Sequence, residues 1–291
     1  MLEHLNPNPV RPSRAVIIGA GGFVGEAIRK KLASEGVNTL ALTRKEMDLL
    51  EDGAAEKLRG LLQPTDSIVM VSAVAPAKTV PDLMQNLKMA EAVCKALSAA
   101  TIAHLVYISS DAVYADDANP VNERSYRAPS TIHGMMHAAR ELMLKSSTRA
   151  PFAALRPSLI YGAADPHNGY GPNRFRRQAA KGEPITLFGE GEEKRDHVAI
   201  EDVAALASLV LSHRSAGVLN VATGVSISFH DIAHMTAALF SNKVPVKSTP
   251  RQGPRPHLTH RFFDIADCVK AFPDFHYTPL SKGLLLAKQA A

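Results

Sequence analysis

The sequence predicts an α/β protein in which a doubly wound parallel sheet is followed by a smaller C-terminal lobe. Three observations carry this reading. Short apolar runs of strand length alternate with longer amphipathic runs of helix length through the first half of the chain. The first strand runs straight into a cluster of glycines. After Pro157 the alternation loosens into segments broken by Gly, Pro, Asp and Asn.

Taken in order, residues 15–18 form an apolar run that suits a strand buried on both faces. Residues 23–34 follow as a helix that stops at Glu35-Gly36. Residues 38–42 give a second strand, 54–62 a helix stopped before Pro64, and 67–71 a third strand. A long helix over 83–100 and a fourth strand over 104–108 complete the regular part. Beyond it lie a loop over 163–172, helices over 173–181 and 199–211, a strand over 218–222 and a terminal helix over 280–290. The stretch 247–260 is interrupted by Pro250, Pro254 and Pro256. These assignments divide the chain into a flexible leader (1–14), a ligand-cradling domain (15–160, with 195–222 returning to it) and a smaller lobe (161–194 and 223–291) that would receive the substrate. In such sheets ligands gather beyond the carboxyl ends of the strands.

Gly19, Gly22 and Gly25 are spaced GxxGxxG between the first strand and the first helix, around Phe23 and Val24. One glycine permits the tight turn, one lets backbone approach a pyrophosphate, and one lets the helix pack on the strand. The helix start then presents free N–H groups and a positive dipole end to phosphate. In this strand–turn–helix context the motif points to a dinucleotide. The second strand ends at Thr43, Arg44 and Lys45. A carboxylate at that turn would bind the ribose hydroxyls of NAD, whereas two cations suit the 2′-phosphate of NADP. NADP is therefore the expectation and NAD the alternative.

The bulk numbers agree. The 291 residues are 46% hydrophobic, enough for one large core and a smaller one. Lys and Arg total 33 against 28 acidic residues, for a formal charge of +5. No basic run or aromatic stacking pattern accompanies that charge, which argues against a nucleic-acid partner. It suits an anionic small molecule. The two cysteines, Cys94 and Cys268, form no CxxC pair, so the expected compartment is the reducing cytoplasm. Residues 1–14 lack the apolar stretch of an export signal, and no run is long enough for a membrane span.

Beyond these residue-level readings, the chain resembles the extended short-chain dehydrogenase/reductase family, and within it the nucleotide-sugar epimerases, dehydratases and reductases. The resemblance covers nearly all of the sequence after the leader. Residues 66–73 are similar to the family's third strand and the turn beside the cofactor, which would place Ser72 and Ala73 against it. Asp48 resembles the adenine-side acidic position, and Asn86 an asparagine of the following helix. Residues 107–114 (YISSDAVY) resemble the catalytic strand end. The resemblance makes Ser110 the hydroxyl that meets a substrate oxygen and puts Asp111 where dehydratases keep a general acid. Their next residue is Glu, and Ala112 here argues against dehydration. Pro157 and Ser158, after Arg156, match the segment lining the nicotinamide. Arg195, in the run RDHV, matches the arginine that grips a nucleotide diphosphate, and Asn173 joins it as a substrate-binding candidate.

One departure stands out. The family's YxxxK pair falls, in the register set by Gly134 and Glu141, on His133 and His137. Residues four apart share a helix face. An imidazole titrates near pH ~6.5 and could exchange a proton without a lysine's help. His133 is then a candidate general acid or base, and His137 a donor to the ribose. A metal site would need a third ligand, which the sequence does not offer. Two functions are consistent with these residues. One is an atypical NAD(P)-dependent epimerase or reductase acting on a nucleotide-activated sugar or related carbonyl. The other is a non-catalytic NAD(P)-binding regulatory or scaffold protein. The resemblance also implies a homodimer paired through the helices over 83–100 and 132–145.

Overall fold

The computed structural model describes residues 2–240, 244–251 and 259–290. The chain opens with β1 (Leu2–Glu3), β2 (Arg14–Ile18), α1 (Phe23–Ser34) and β3 (Thr39–Leu42). It continues with α2 (Ala54–Leu61), β4 (Asp66–Met70), α3 (Val80–Ser98) and β5 (His104–Ile108). A short 3-10 turn (Asp111–Val113) precedes α4 (Ile132–Ser146) and β6 (Phe152–Pro157). Helix α3 begins three residues before the expected Leu83. Pro81 does not break it, because it sits in the first turn, where a missing N–H costs nothing. Thr79 and Asp82 close a reciprocal capping box around that start.

The second half holds β7 (Leu159–Tyr161), α5 (Pro172–Ala180), β8 (Ile185–Phe188), β9 (Lys194–Ala199), α6 (Ile200–Ser212) and β10 (Ala216–Val221). It ends with β11 (Ser226–Ser228), α7 (Phe229–Ala238), β12 (Val246–Thr249), α8 (Ala266–Ala271) and α9 (Leu280–Gln289). Seven strands form the main sheet in the order β1-β10-β6-β5-β4-β2-β3. All neighbours are parallel except β1 on β10. Chain direction across the sheet reverses between β2 and β4, so a crevice opens beyond Ile18 and Met70, which pair in register. Alternate residues of each strand feed two separate cores. Ile17, Val69, Val106 and Leu155 pack with α1 and α6, while Ile18, Met70 and Tyr107 pack with α2, α3 and α4.

The first residues are tied down, in contrast to the flexible leader expected from the prolines. Leu2 pairs with Gly217, His4 reaches Ser215 and the Ala271 carbonyl, and the Asn6 and Val10 amides donate to His213 and Ser212. Outside the main sheet stand the sheet β11-β9-β7, the parallel pair β12-β8, and a core of Phe175, Ile185, Leu187, Phe229 and Ile232. Of the segment 195–222 expected to return to the first domain, β10 joins the main sheet, whereas β9 pairs with β7 and β11 instead. Pro254 and Pro256 lie outside the described residues.

A buried ion pair couples the sheet to α4. The Arg156 guanidinium on β6 donates to both Glu141 oxygens, at 2.8 and 2.6 Å, and both residues are buried. Burial works against the Arg156 charge, but Glu141 and Tyr114 together outweigh it and raise its pKa. Ser109 donates to the same carboxylate at 2.6 Å, and Arg156 donates to the Tyr114 hydroxyl at 2.8 Å. Removing one partner leaves the other charge buried and alone. Arg156→Met should therefore lower unfolding free energy by about 3–5 kcal/mol, and Arg156→Met with Glu141→Leu should recover much of that loss. Chemical denaturation of the three proteins checks this; equal stability of the single and double variants would contradict it.

Candidate active site

The carboxyl ends of β2 to β6 and one side of the smaller lobe enclose a single cleft of roughly 2040 Å³. Its floor is the glycine turn. Gly19 has φ +96°, and a Cβ there would lie 2.5 Å from the Ser72 amide nitrogen, so only glycine lets the two strand ends meet. Helix α1 opens at Gly22 with no side-chain cap, leaving its first N–H groups available to an anion. Gly19, Gly22, Phe23 and Val24 line the cleft. Gly25 does not: it is buried against the Gly19 carbonyl and sets the contact of helix with turn.

Thr43, Arg44, Lys45 and Asp48 form the rim beyond β3. The turn was expected to lack a carboxylate, yet Glu46 folds back into it. Its Oε2 accepts from the Thr43 amide at 3.1 Å and from the Thr43 hydroxyl. Arg44 pairs with Asp48 at 2.9 Å while its side chain remains 82% exposed, free to turn to another anion. Asp48 also accepts from the Leu50 amide at 3.0 Å, so both its oxygens have internal partners.

The opposite wall is built from α4 and the end of β5. Thr131 caps α4 by accepting from the Gly134 amide. A Cβ on Gly134 would lie 2.0 Å from the Ala112 carbonyl, so this helix stands directly on the 3-10 turn that follows Ser110. That contact brings His133 and His137 into the same cleft as Ser72, Ala73, Ser110 and Asp111. The Ala77 amide donates to His133 Nδ1 at 3.4 Å, and the Tyr107 hydroxyl lies 2.7 Å from His137 Nδ1. The two imidazoles meet edge to face at 4.7 Å. Burial lowers the His133 pKa, and burial with neighbouring His133 and Arg140 holds His137 well below the usual range. The near-neutral titration expected from the bare sequence is thus displaced towards acid by desolvation. Ser110 Oγ caps the 3-10 turn at the Ala112 amide and lies 3.4 Å from Asp111. Asp111 itself is 3.7 Å from the Arg261 guanidinium.

The far end of the cleft is rich in guanidinium groups. Arg195 is nearly buried, donates to the carbonyls of Lys194 and Thr259, and sits 3.6 Å from Glu193. Arg251 pairs with the same Glu193, and Arg261 with Asp111 and Asp116. Two expected contact residues already have protein partners. Asn173 accepts from the Gly162 amide and donates to the Ile160 carbonyl, so it holds the loop after β7. Ser158 donates to Asp196. Pro157 and Ser158 still line the cleft. Among the described residues no group of three or more His, Cys, Asp or Glu is arranged for a metal ion. The sequence reading missed Ala77, Tyr107, Arg140, Arg251 and Arg261, whose contacts join parts of the chain that no local motif links.

A doubly wound sheet with this glycine turn, and with a small lobe facing its carboxyl edge, defines the class of extended short-chain dehydrogenases/reductases. The chain belongs to the NAD dependent epimerase/dehydratase family, whose profile matches residues 15–222. Solved structures share the fold across almost their whole length. UDP-N-acetylglucosamine 4-epimerase from Bacillus cereus is 21% identical with a TM-score of 0.81, covering 95% of this chain and 98% of its own. UDP-glucose 4-epimerase from Thermotoga maritima, solved with UDP-glucose, is 18% identical with a TM-score of 0.84, covering 95% and 97%. The Thermus thermophilus UDP-glucose 4-epimerase, a complex with NAD, is 21% identical with a TM-score of 0.82, covering 95% and 98%. No helix among the described residues is long and apolar enough to cross a membrane.

The buried histidines make a prediction for stability. Burial lowers His104 and His197 to about 4, and lowers His133 and His137 as well. The unfolded chain takes up these protons below pH ~6.5, and the folded chain does so only at lower pH. Stability should therefore be fullest above that value and fall as the pH drops towards 4. His197→Leu should make the fall shallower, since His197 is buried with its ring edge-on to Phe229. Denaturant unfolding at stepped pH measures both slopes; parallel curves would contradict the assignment.

Proposed function

We propose that this chain is an NAD(P)-dependent epimerase or reductase acting on a nucleotide-activated sugar or a related carbonyl compound. One observation carries the reading. A single cleft joins an uncapped helix start behind a glycine turn, the Ser110–His133 corner and the guanidinium-rich end at Arg195. The glycine turn fits a pyrophosphate because its backbone is bare where a Cβ would fill the space. Gly19, Gly22, Phe23 and Val24 would hold the phosphates, Thr43 to Lys45 the adenosine end, and Ser72, Ala73, Pro157 and Ser158 the nicotinamide end. When bound, the nicotinamide supplies hydride acceptance and return. Ser110 and His133 meet the substrate oxygen, His137 faces the ribose, and Arg195 neutralises the diphosphate.

A second reading, a dinucleotide-binding protein without turnover, is favoured by the burial that keeps both imidazoles uncharged at neutral pH. Replacing His133 with Phe separates the two. Turnover on UDP-sugars, followed by product analysis, should be abolished while dinucleotide affinity is retained. Unchanged turnover in the variant would remove His133 from the chemistry, and no turnover in the parent protein on any UDP-sugar would favour the binding-only reading.

Two further outcomes follow from the ends of the cleft. Arg44 and Lys45 favour NADP, while Glu46 in the same turn opposes a 2′-phosphate. The expected balance is tighter binding of NADPH than NADH in calorimetric titration; equal affinities would contradict it. Arg195→Ala should weaken UDP-sugar binding roughly ten- to a hundredfold, as loss of a charged hydrogen bond does, and leave dinucleotide affinity nearly unchanged. A loss of both affinities together would show a structural role instead. A homodimer through α3 and α4 belongs to the same reading and is supported by exposed Met84, Met135 and Leu142 on those helices.

A further inference from the structure

The two histidines of α4 are held from behind, and the donors that hold them determine where their protons sit. The Ala77 amide can only donate, so its bond at 3.4 Å requires a bare Nδ1 on His133. Tyr107 is fully buried on β5, and its hydroxyl makes one hydrogen bond among the described residues, to His137 Nδ1 at 2.7 Å. Burial pushes that phenol up to about 12, so it keeps its proton. Were His137 to donate through Nδ1, the phenol proton would be buried without an acceptor. The satisfied arrangement has Tyr107 donating to a bare Nδ1.

We propose that the Ala77 amide and the Tyr107 hydroxyl fix His133 and His137 as uncharged Nε2–H tautomers, so that this wall offers the cleft two N–H donors and no free ring acceptor. Arg140 reinforces the uncharged state. Its guanidinium is fully buried, donates to the Ser72 carbonyl at 2.6 Å and to Asn86 at 3.2 Å, and lies 5.2 Å from the centre of the Tyr107 ring. A second positive charge on His137 would be repelled by it. Tyr107 is thus a positioning residue acting through His137. The inference rests on the proposed function only in taking the occupant of the cleft to be a dinucleotide with a carbonyl or alcohol substrate. It then changes the part His133 plays. A neutral N–H donor polarises a substrate oxygen as an electrophile, and does not abstract a proton from it.

The test uses the full chain without added ligand, labelled with ¹⁵N-histidine and observed by long-range proton–nitrogen correlation. His133→Gln and His137→Gln identify the two rings by loss of their signals. Both rings should show a protonated Nε2 and a bare Nδ1 at pH 7. Tyr107→Phe should move His137, and not His133, towards the other tautomer. It should also weaken NADPH binding by about two- to tenfold, the loss of one oriented hydrogen bond. A protonated Nδ1 on either ring of the parent protein would overturn the proposal, even if Tyr107→Phe does not fold. An unchanged His137 spectrum in a folded Tyr107→Phe variant would also overturn it. NADPH titration of the parent sample judges the occupant separately, because the tautomers are read before any ligand is added.

Discussion

The contact on which the site depends is the buried pairing of Arg156 with Glu141. It joins the middle of the sheet to the helix that carries the histidines, and hydrogen bonds spread outward from it. Ser109 enters through the carboxylate; Tyr114, Asn220 and Glu123 follow from the guanidinium, with Tyr114 donating to the Asn220 side-chain oxygen at 2.7 Å and the Asn220 backbone N–H to Glu123 at 2.7 Å. A pair this deep gains little net energy over an apolar one. What it gives is register. With Glu141 held on β6 and Gly134 seated on Ala112, α4 cannot slide or turn, and His133 and His137 keep one bearing relative to Ser110.

The cleft divides its electrostatics between two ends. At the α4 wall burial keeps the imidazoles uncharged, and Arg140 behind them is turned into the protein by Ser72 and Asn86. At the lobe end the guanidinium groups of Arg195, Arg251 and Arg261 face the carboxylates of Glu193, Asp111 and Asp116, three charges against three. The cleft therefore has a polarity, with an uncharged wall at one end and a dense set of ion pairs at the other. That polarity follows from where the sheet ends and where the lobe begins, so it is a property of the fold as much as of single residues.

The sheet was legible in the sequence because its central strands are buried on both faces and therefore largely apolar, as in residues 15–18 and 105–108. The smaller lobe was less so. Strands β8 and β12 are short and half exposed, and each is completed by the other, 61 residues away by register. The glycine turn was readable because backbone approach demands glycine at fixed spacing. Ser110, Arg195 and the two histidines were found by resemblance, and the structure brings them into one cleft. Glu46, Tyr107 and Arg140 escaped notice for a common reason. Each acts by folding back on a partner, and neither residue type nor spacing announces which carbonyl, hydroxyl or ring it will meet.

The pairing of β1 with β10 has a consequence for the order of assembly. Leu2 meets Gly217, so the earliest strand finds its neighbour only after three quarters of the chain has been made. Until β10 inserts beside β6, the growing sheet presents β6 as an open parallel edge, the kind of edge to which a foreign strand can attach. Segments that meet across such distances close slowly, because loop entropy must be lost before any contact compensates for it. The opening residues therefore act as a latch set last. They cover part of β10 once it arrives, and they close the sheet on the side away from the glycine turn.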